Sequence, residues 1–295
     1  MRVLITGASG QDGRYMEQLC TAAGARVVRA GRTGPDVALD PANGDHVHVV
    51  IRELQPDYVF HFAADSTLAH EGLLSNHRAI STGAINLLEA CHRHCRGARV
   101  FLPGSALQFE NVGKPIDEDT PFGAGNAYAV ARIHTTYLAR YFRSLGLRVY
   151  VGFLFHHDSP LRTSRHMSQK ICQAAVRVAA GRGEKLPVGD LAAEKEWSFA
   201  GDVVRAIWLL VNQEEIFEVV IGSGQTRPVQ AWIEACFGLV GRDWRPWITP
   251  LPGYRPGFAR LVSNPARIRG LGWTPEVDFN SLAALMVKNN QAQMP

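Results

Sequence analysis

The chain has 295 residues, 46% of them hydrophobic and 20% charged, with a formal net charge of +4 at pH 7. This composition excludes an intrinsically disordered chain. So small a positive excess excludes a nucleic-acid-binding signature while permitting an anionic small-molecule ligand, and the length suits one large α/β domain or two unequal ones.

Val3-Leu4-Ile5 is a short β-favouring run leading into Thr6-Gly7-Ala8-Ser9-Gly10-Gln11-Asp12-Gly13. Tyr15, Met16, Leu19 and Cys20 then recur at helical spacing as far as Gly24. Glycines between a first strand and a first helix let a dinucleotide's pyrophosphate approach the backbone N–H groups of the helix N-terminus, where a Cβ would obstruct it. A second strand, Ala25 to Ala30, ends in Gly31-Arg32-Thr33. At that point a βαβ unit meets the adenosine ribose; an acid there suits the 2′-OH of NAD and a base the 2′-phosphate of NADP. Arg29 and Arg32 stand there with no acid before Asp36, which points to NADP rather than NAD, although both arginines also read as solvated surface charges. Asp40 follows in Leu39-Asp40-Pro41, and a helix is expected from about Asp45 to Leu54.

Tyr58 to Phe62 reads as a buried strand ending at Ala63-Ala64-Asp65-Ser66, small residues that let a cofactor lie close. A helix from about Ala79 to His94 carries a stripe of Ile80, Gly83, Ala84, Leu87, Leu88 and Cys91. Its end, Cys91-His92-Arg93-His94-Cys95, holds four soft ligands, but the cysteines share a face that the histidines do not, so it reads as a helix end with no metal. The strand Arg99 to Leu102 ends at Pro103-Gly104-Ser105-Ala106-Leu107-Gln108-Phe109, and the acidic run Asp117 to Asp119 reads as a solvated face. Tyr128 opens a helix whose Tyr137, Leu138, Tyr141, Phe142 and Leu145 form a broad apolar face, and a strand follows from Arg148 to Phe155.

The alternation of β and α through residue 155 predicts an α/β, Rossmann-like doubly wound parallel sheet. Beyond it the pattern loosens into a loop over Phe155 to Pro160, helices at Met167 to Ala180 and Asp202 to Val211, a strand at Phe217 to Ile221 and an irregular Pro250 to Pro256. Residues 1–155 are therefore expected to form a dinucleotide-binding domain, with about 196–222 returning to it, and 156–295 mostly a smaller C-terminal substrate-binding domain. Five scattered cysteines, a first strand beginning at Met1-Arg2 without a signal peptide, and the lack of an apolar run of roughly 20 residues predict a cytoplasmic protein with no membrane partner.

Taken together the motifs resemble the extended short-chain dehydrogenases/reductases, and within them the GDP-mannose 4,6-dehydratase family. The resemblance is carried by Gly10-Gln11-Asp12-Gly13, Gln55-Pro56-Asp57, Leu87-Leu88-Glu89-Ala90, Tyr128-Ala129-Val130-Ala131, Leu154-Phe155-His156-His157-Asp158-Ser159-Pro160, Gly189-Asp190-Leu191, Glu196-Trp197, Tyr254-Arg255-Pro256, Asn264-Pro265 and Leu271-Gly272-Trp273, collinear over the whole length. It implies hydride transfer at C4 of a nucleotide-diphosphate sugar with NADP, by a homodimer or tetramer built through the helices around 79–94 and 126–145. It assigns the cofactor to Gly7, Ser9, Gly10, Gln11, Asp12, Gly13, Arg32, Asp40, Ala63, Ala64, Tyr128, Arg132 and Phe155. Substrate contacts fall to Ser105, Leu107, His156, Lys170, Lys195 and Arg255, with Lys170, Lys195 and Arg255 as the cations for a diphosphate. Lys195, inside Glu194-Lys195-Glu196, reads equally as a surface ion-pair residue.

The catalytic set implied is Ser105, Tyr128 and the residue four after the tyrosine, where the family has Lys and this chain has Arg132. Arginine keeps the charge but not the shape. Dehydratases of the family carry a Glu two residues after the catalytic hydroxyl to remove the C5 proton, a general-base task that Leu107 cannot perform. The next positions also depart, with Phe109 for Tyr and Glu110 for Gly; Gln108 is no base, and Asp65 or His156 would have to serve from elsewhere. The leading expectation is a reductase of a 4-keto-6-deoxy sugar. The alternatives are a 4,6-dehydratase with a relocated base and a catalytically impaired paralogue that binds cofactor or sugar nucleotide.

Overall fold

The computed structural model describes residues 1–32, 36–254 and 256–294. Its elements are β1 (Arg2–Thr6), α1 (Gln11–Ala22), β2 (Arg26–Gly31), β3 (Val37–Ala38), α2 (Gly44–Leu54) and β4 (Tyr58–His61), then α3 (Leu73–Asn76) and α4 (Gly83–His94). There follow β5 (Arg99–Ser105), α5 (Ala127–Ser144), β6 (Arg148–Leu154), β7 (His157–Asp158), α6 (Met167–Ala179), β8 (Leu186–Val188), β9 (Glu194–Glu196), β10 (Ser198–Phe199) and α7 (Ala200–Val211). The chain ends with β11 (Glu218–Ile221), β12 (Thr226–Pro228), α8 (Val229–Leu239), β13 (Ile248–Pro250), α9 (Ala266–Gly270) and α10 (Phe279–Ala292).

Seven strands form one sheet in the order β11-β6-β5-β4-β1-β2-β3, and every neighbouring pair is parallel. Because successive strand side chains point to opposite faces, Val149, Val151 and Phe153 of β6 join α2, α4 and α5 in one apolar layer. Tyr150 faces the other layer, against α1 and α7. A third apolar cluster belongs to the C-terminal helices α6, α8 and α10, where Trp197 and Trp232 stack with ring centroids 4.5 Å apart.

Several boundaries differ from those expected. The helix predicted from Ala79 begins at Leu73, and one π-helical stretch, His77–Thr82, joins α3 to α4. Strand β5 runs on to Ser105 through Pro103; its pairing with β4 stops at Phe101, so beyond that point it has only β6 beside it and the missing proline N–H is tolerated as at an edge. The acidic run is not wholly a solvated face. The Glu118 side chain is only 6% exposed, and it accepts the Val220 N–H at 2.7 Å, covering the edge strand β11. The loop after Phe155 holds β7, which pairs with β10. The Cys91–Cys95 segment does end a helix: His94 turns to His48 at 3.2 Å, and His92 to Arg96. Among the described residues no three metal-ligating side chains converge, and no helix is long and apolar enough to cross a membrane.

Candidate active site

In the sheet β1 lies between β4 and β2, so the chain's connections part there and leave a crevice at the C-terminal ends of the strands. Two adjoining cavities of about 420 and 500 Å³ open along it. Gly7, at φ +73°, turns the chain tightly enough that a Cβ would stand 2.5 Å from the Ala63 nitrogen. A Cβ on Gly10 would meet only the Gly7 carbonyl, at 3.3 Å, and would otherwise fill the open cradle above the turn. Gly10 also caps α1 without any side-chain hydrogen bond, so the helix N-terminus is available to an anion. These features fit the pyrophosphate of a dinucleotide.

The 420 Å³ cavity is the one whose lining matches the expected adenosine side, with Ser9, Arg32, Asp40, Ala63 and Ala64 among others. Arg29, half of the sequence argument for NADP, is already engaged by both oxygens of Asp36, at 2.8 and 3.0 Å, and by Glu17 at 3.4 Å. Arg32 therefore remains as the cation expected at the ribose, joined in the cavity wall by Arg78 and Arg165, which the sequence did not single out. Arg78 pairs with Asp40 at 2.7 Å. Thr33 lies outside the described residues. Asp65 faces this adenosine side, where Ser75 donates to it at 2.7 Å, and does not line the cavity that holds Ser105.

The larger cavity brings together Ser105, Leu107, Tyr128, Arg132, Phe155 and His156. Ser105 ends β5, and its Oγ accepts the Leu107 N–H at 3.2 Å while the Gln108 side chain accepts the Ser105 N–H at 2.8 Å, a reciprocal cap that fixes the turn. Gln108 then donates to Thr136 at 3.1 Å and is fully buried, so the residue facing the cavity is Leu107. Asn126 caps α5 by accepting the Ala129 N–H, which sets Tyr128 in the first turn. Arg132, one turn on, lies over the Tyr128 ring at 5.0 Å and donates Nη1 to the Pro103 carbonyl at 2.8 Å; its buried Nε has no partner. Glu110 is exposed and outside the cavity.

Beyond them lies a charged cluster. His156 Nδ1 donates to the Glu196 carbonyl at 2.9 Å, so Nε2 is the acceptor that receives Lys195 Nζ at 3.0 Å. Burial, with the Lys195 charge beside it, takes the His156 pKa down to about 3, leaving a neutral imidazole at pH 7. Asp158 stands 3.2 Å from the same nitrogen and 3.1 Å from Arg162. Burial alone would raise its pKa, but His156, Arg162 and Lys195 hold it at about 2. Burial takes Lys195 down to about 8 even though Asp158 favours its charged form. The ion-pair reading of Lys195 within its own strand does not hold: Glu194 goes to Arg260 and Thr226, Glu196 accepts the Ser263 and Ser223 N–H groups, and Lys195 lies 4.3 Å over Trp197 beside His156.

Gln11 and Asp12 do more than open a helix. Asp12 receives His157 Nε2 at 3.0 Å, and His157 Nδ1 donates to the Phe155 carbonyl at 2.7 Å. Acceptors at both nitrogens favour the protonated ring; burial works against the charge, yet Asp12 raises the pKa overall. Asp12 shifts in the complementary sense, because His157 outweighs the burial that would push its carboxyl up. Gln11 donates to the His157 carbonyl and accepts from Ser159 at 3.0 Å. The glycine turn is thus joined to the His156–Ser159 segment that carries the second half of the site.

Gly7, Ser9, Gly10, Gln11, Asp12, Gly13, Arg32, Asp40, Ala63, Ala64, Tyr128, Arg132 and Phe155 all line one cavity or the other, and so do Ser105, Leu107, His156 and Lys195. Lys170, on α6, does not line either. Arg255 lies outside the described residues. Arg162, His166, Phe258 and Leu261 enter the larger cavity without having been anticipated; nothing local marks them, because loops distant in sequence bring them there.

The sequence profile of GDP-mannose 4,6 dehydratase matches residues 4–286. "GDP-mannose 4,6 dehydratase 2" of Arabidopsis thaliana is 30% identical over 96% of this chain and 85% of its own length. The GDP-mannose 4,6-dehydratase of Vibrio cholerae is 26% identical over 97% of this chain and 92% of its own. Among solved structures, the UDP-glucose 4-epimerase of Thermus thermophilus, in complex with NAD, superposes with a TM-score of 0.86 at 25% identity over the full length of both chains. RMD from Pseudomonas aeruginosa, complexed with NADPH, superposes with a TM-score of 0.87 at 22% identity over 99% of each chain.

Proposed function

The chain belongs to the GDP-mannose 4,6-dehydratase family, and from that membership we propose that it is an NADP-dependent reductase of a 4-keto-6-deoxy sugar carried on a nucleoside diphosphate, with GDP as the first candidate. That it is a nucleotide-sugar enzyme of the short-chain dehydrogenase/reductase type using a nicotinamide dinucleotide follows from the family and the neighbours. The observation that supports reduction over dehydration is Leu107: the hydroxyl pair Ser105 and Tyr128 lines the cavity, while the position of the dehydration base is a hydrocarbon and Gln108 is committed elsewhere.

The Gly7–Gly13 turn and Arg32 would hold a nicotinamide dinucleotide, which would supply a hydride to the sugar's C4. Ser105 Oγ holds the sugar's O4, and the Tyr128 hydroxyl gives O4 its proton as the ketone becomes an alcohol, one hydride and one proton per turnover. Arg132, tied to Pro103, keeps the Tyr128 ring in place. Lys195 and Arg162 face the diphosphate, and His156 orients Lys195 as a hydrogen-bond acceptor. The chain acts as a homodimer through α4 and α5. A second reading, a dehydratase with a relocated base, is supported by the whole-length match to the dehydratase family, but His156, with both ring nitrogens engaged and its pKa down at about 3, is a poor base for it.

The test is anaerobic incubation with GDP-mannose and NADP, in parallel with GDP-4-keto-6-deoxymannose and either NADPH or NADH, read by mass spectrometry. The expected result is a two-hydrogen gain on the keto sugar, faster with NADPH, and no change in GDP-mannose. Loss of water from GDP-mannose would establish the dehydratase instead.

A further inference from the structure

One part of the larger cavity is hydrocarbon. Leu107, Phe258 and Leu261 line it together with Ser105 and Tyr128, and all three belong to one apolar cluster beneath the sheet's end. Leu261 is only 5% exposed. The segment that carries Phe258 and Leu261 is held against the loop after Ser105 from both sides. Asn111 donates to the Arg260 carbonyl at 2.9 Å, the Ile116 N–H to Val262 at 2.9 Å, and the Leu261 N–H to Glu194 at 2.9 Å. The wall is therefore built into the fold and is not the chance orientation of one side chain.

We propose that Leu107, Phe258 and Leu261 form an apolar seat for the C6 methyl group of a 6-deoxy sugar, selecting it against a sugar that keeps its 6-hydroxyl. The inference rests on the proposed function for the placement of the sugar's C4 oxygen at Ser105 and Tyr128. The Leu107 N–H is bonded to Ser105 Oγ, so residue 107 adjoins whatever substituent stands next to C4. The two flanking carbons carry a hydroxyl at C3 and the exocyclic C6 at C5. A wall made of two leucines and a phenylalanine cannot partner a hydroxyl, and burying one unpartnered is unfavourable. A methyl group fills the same space and loses only water contact. The C6 end of the sugar is then the end that faces this wall.

Two probes that differ only at C6, GDP-6-deoxymannose and GDP-mannose, test this by titration calorimetry on the protein saturated with NADPH. Binding of the 6-deoxy probe is expected to be about 10- to 100-fold tighter, the range in which an apolar pocket rejects an added hydroxyl. Leu107→Gln is expected to bring the two affinities within about threefold by offering the hydroxyl a partner. Phe258→Ala, at a site outside the β5 turn, is expected to weaken the 6-deoxy probe selectively, which guards against a Leu107 variant that misfolds. Equal affinities in the unaltered protein, or an unchanged ratio in both variants, would overturn the seat. The proposed reduction fails separately: a keto sugar left unreduced while the methyl preference persists removes the reductase and leaves the seat, whereas reduction without preference does the reverse.

Discussion

Lys195 shows how much of a residue's role depends on its tertiary neighbours. Its ammonium, brought down to about 8 by burial, faces a cavity expected to hold a diphosphate. Below that pH the side chain is charged and attracts the anion; above it the charge is lost. The kcat/KM for the sugar nucleotide, which reports ionisations of the free enzyme, should therefore fall above about pH 8, and most of the loss should appear in KM. Lys195→Arg should abolish that alkaline break, because a guanidinium stays protonated. A pH profile unchanged by the substitution would remove Lys195 from the binding of substrate. Leu107, by contrast, stands out in the sequence through the resemblance to a family that carries a Glu two residues after the hydroxyl. What the resemblance did not reveal is that Gln108, the next residue in the turn, faces inward to Thr136.

Helix α5 was anticipated to within a residue, because its 3.6-residue apolar period and its Asn126 cap are local signals. Which of its apolar residues are buried was not. Phe142 is in the core, but Tyr137 and Tyr141, placed on the same broad face from the sequence, are 57% and 58% exposed, and Val130 is 43% exposed. An apolar row left outside by a helix that already covers the sheet is suited to a second copy of the chain. Light scattering at micromolar concentration should give twice the chain mass of 32.4 kDa, and the double substitution Tyr137→Glu with Tyr141→Glu should return it to the monomer. Strand β5 and Glu118 make a related point. A proline expected to end a strand and an acid within a polar loop are read by composition, whereas their roles depend on which neighbouring strand has ended and which edge needs covering.

At the scale of the whole molecule, buried histidines tie stability to pH. His61 is 1% exposed, and burial, with Arg132 nearby, takes its pKa down to about 4; His156 follows to about 3. A histidine whose folded pKa lies below its unfolded one binds its proton more readily in the unfolded chain. Its contribution is thus complete above about pH 6.5 and is lost as the pH falls, at about 1.4 kcal/mol per unit for a group as buried as His61. Asp158 acts in the same direction lower down, since its stabilisation is present above the unfolded value of 3.8 and is lost as the pH falls towards 2. Urea midpoints should accordingly decline from about pH 6.5 downward, with His61→Asn flattening the upper part of that decline. The sequence by itself determined the α/β architecture and the glycine turn, which are carried by periodicity and short spacings acting within one or two turns of chain. Its collinear resemblance to one family, and not any spacing, is what implied Ser105, Tyr128 and Arg132 as a set and drew notice to Leu107. Only the tertiary structure decided that Arg29 is spent on Asp36, that Lys195 belongs to His156, that Gln11 and Asp12 clasp the segment from His157 to Ser159, and that Phe258 and Leu261 line the same cavity as Leu107. These are contacts between side chains, some of them more than a hundred residues apart. Sequence patterns carry no signal for such pairings, which exist only once the sheet brings the ends of its strands together.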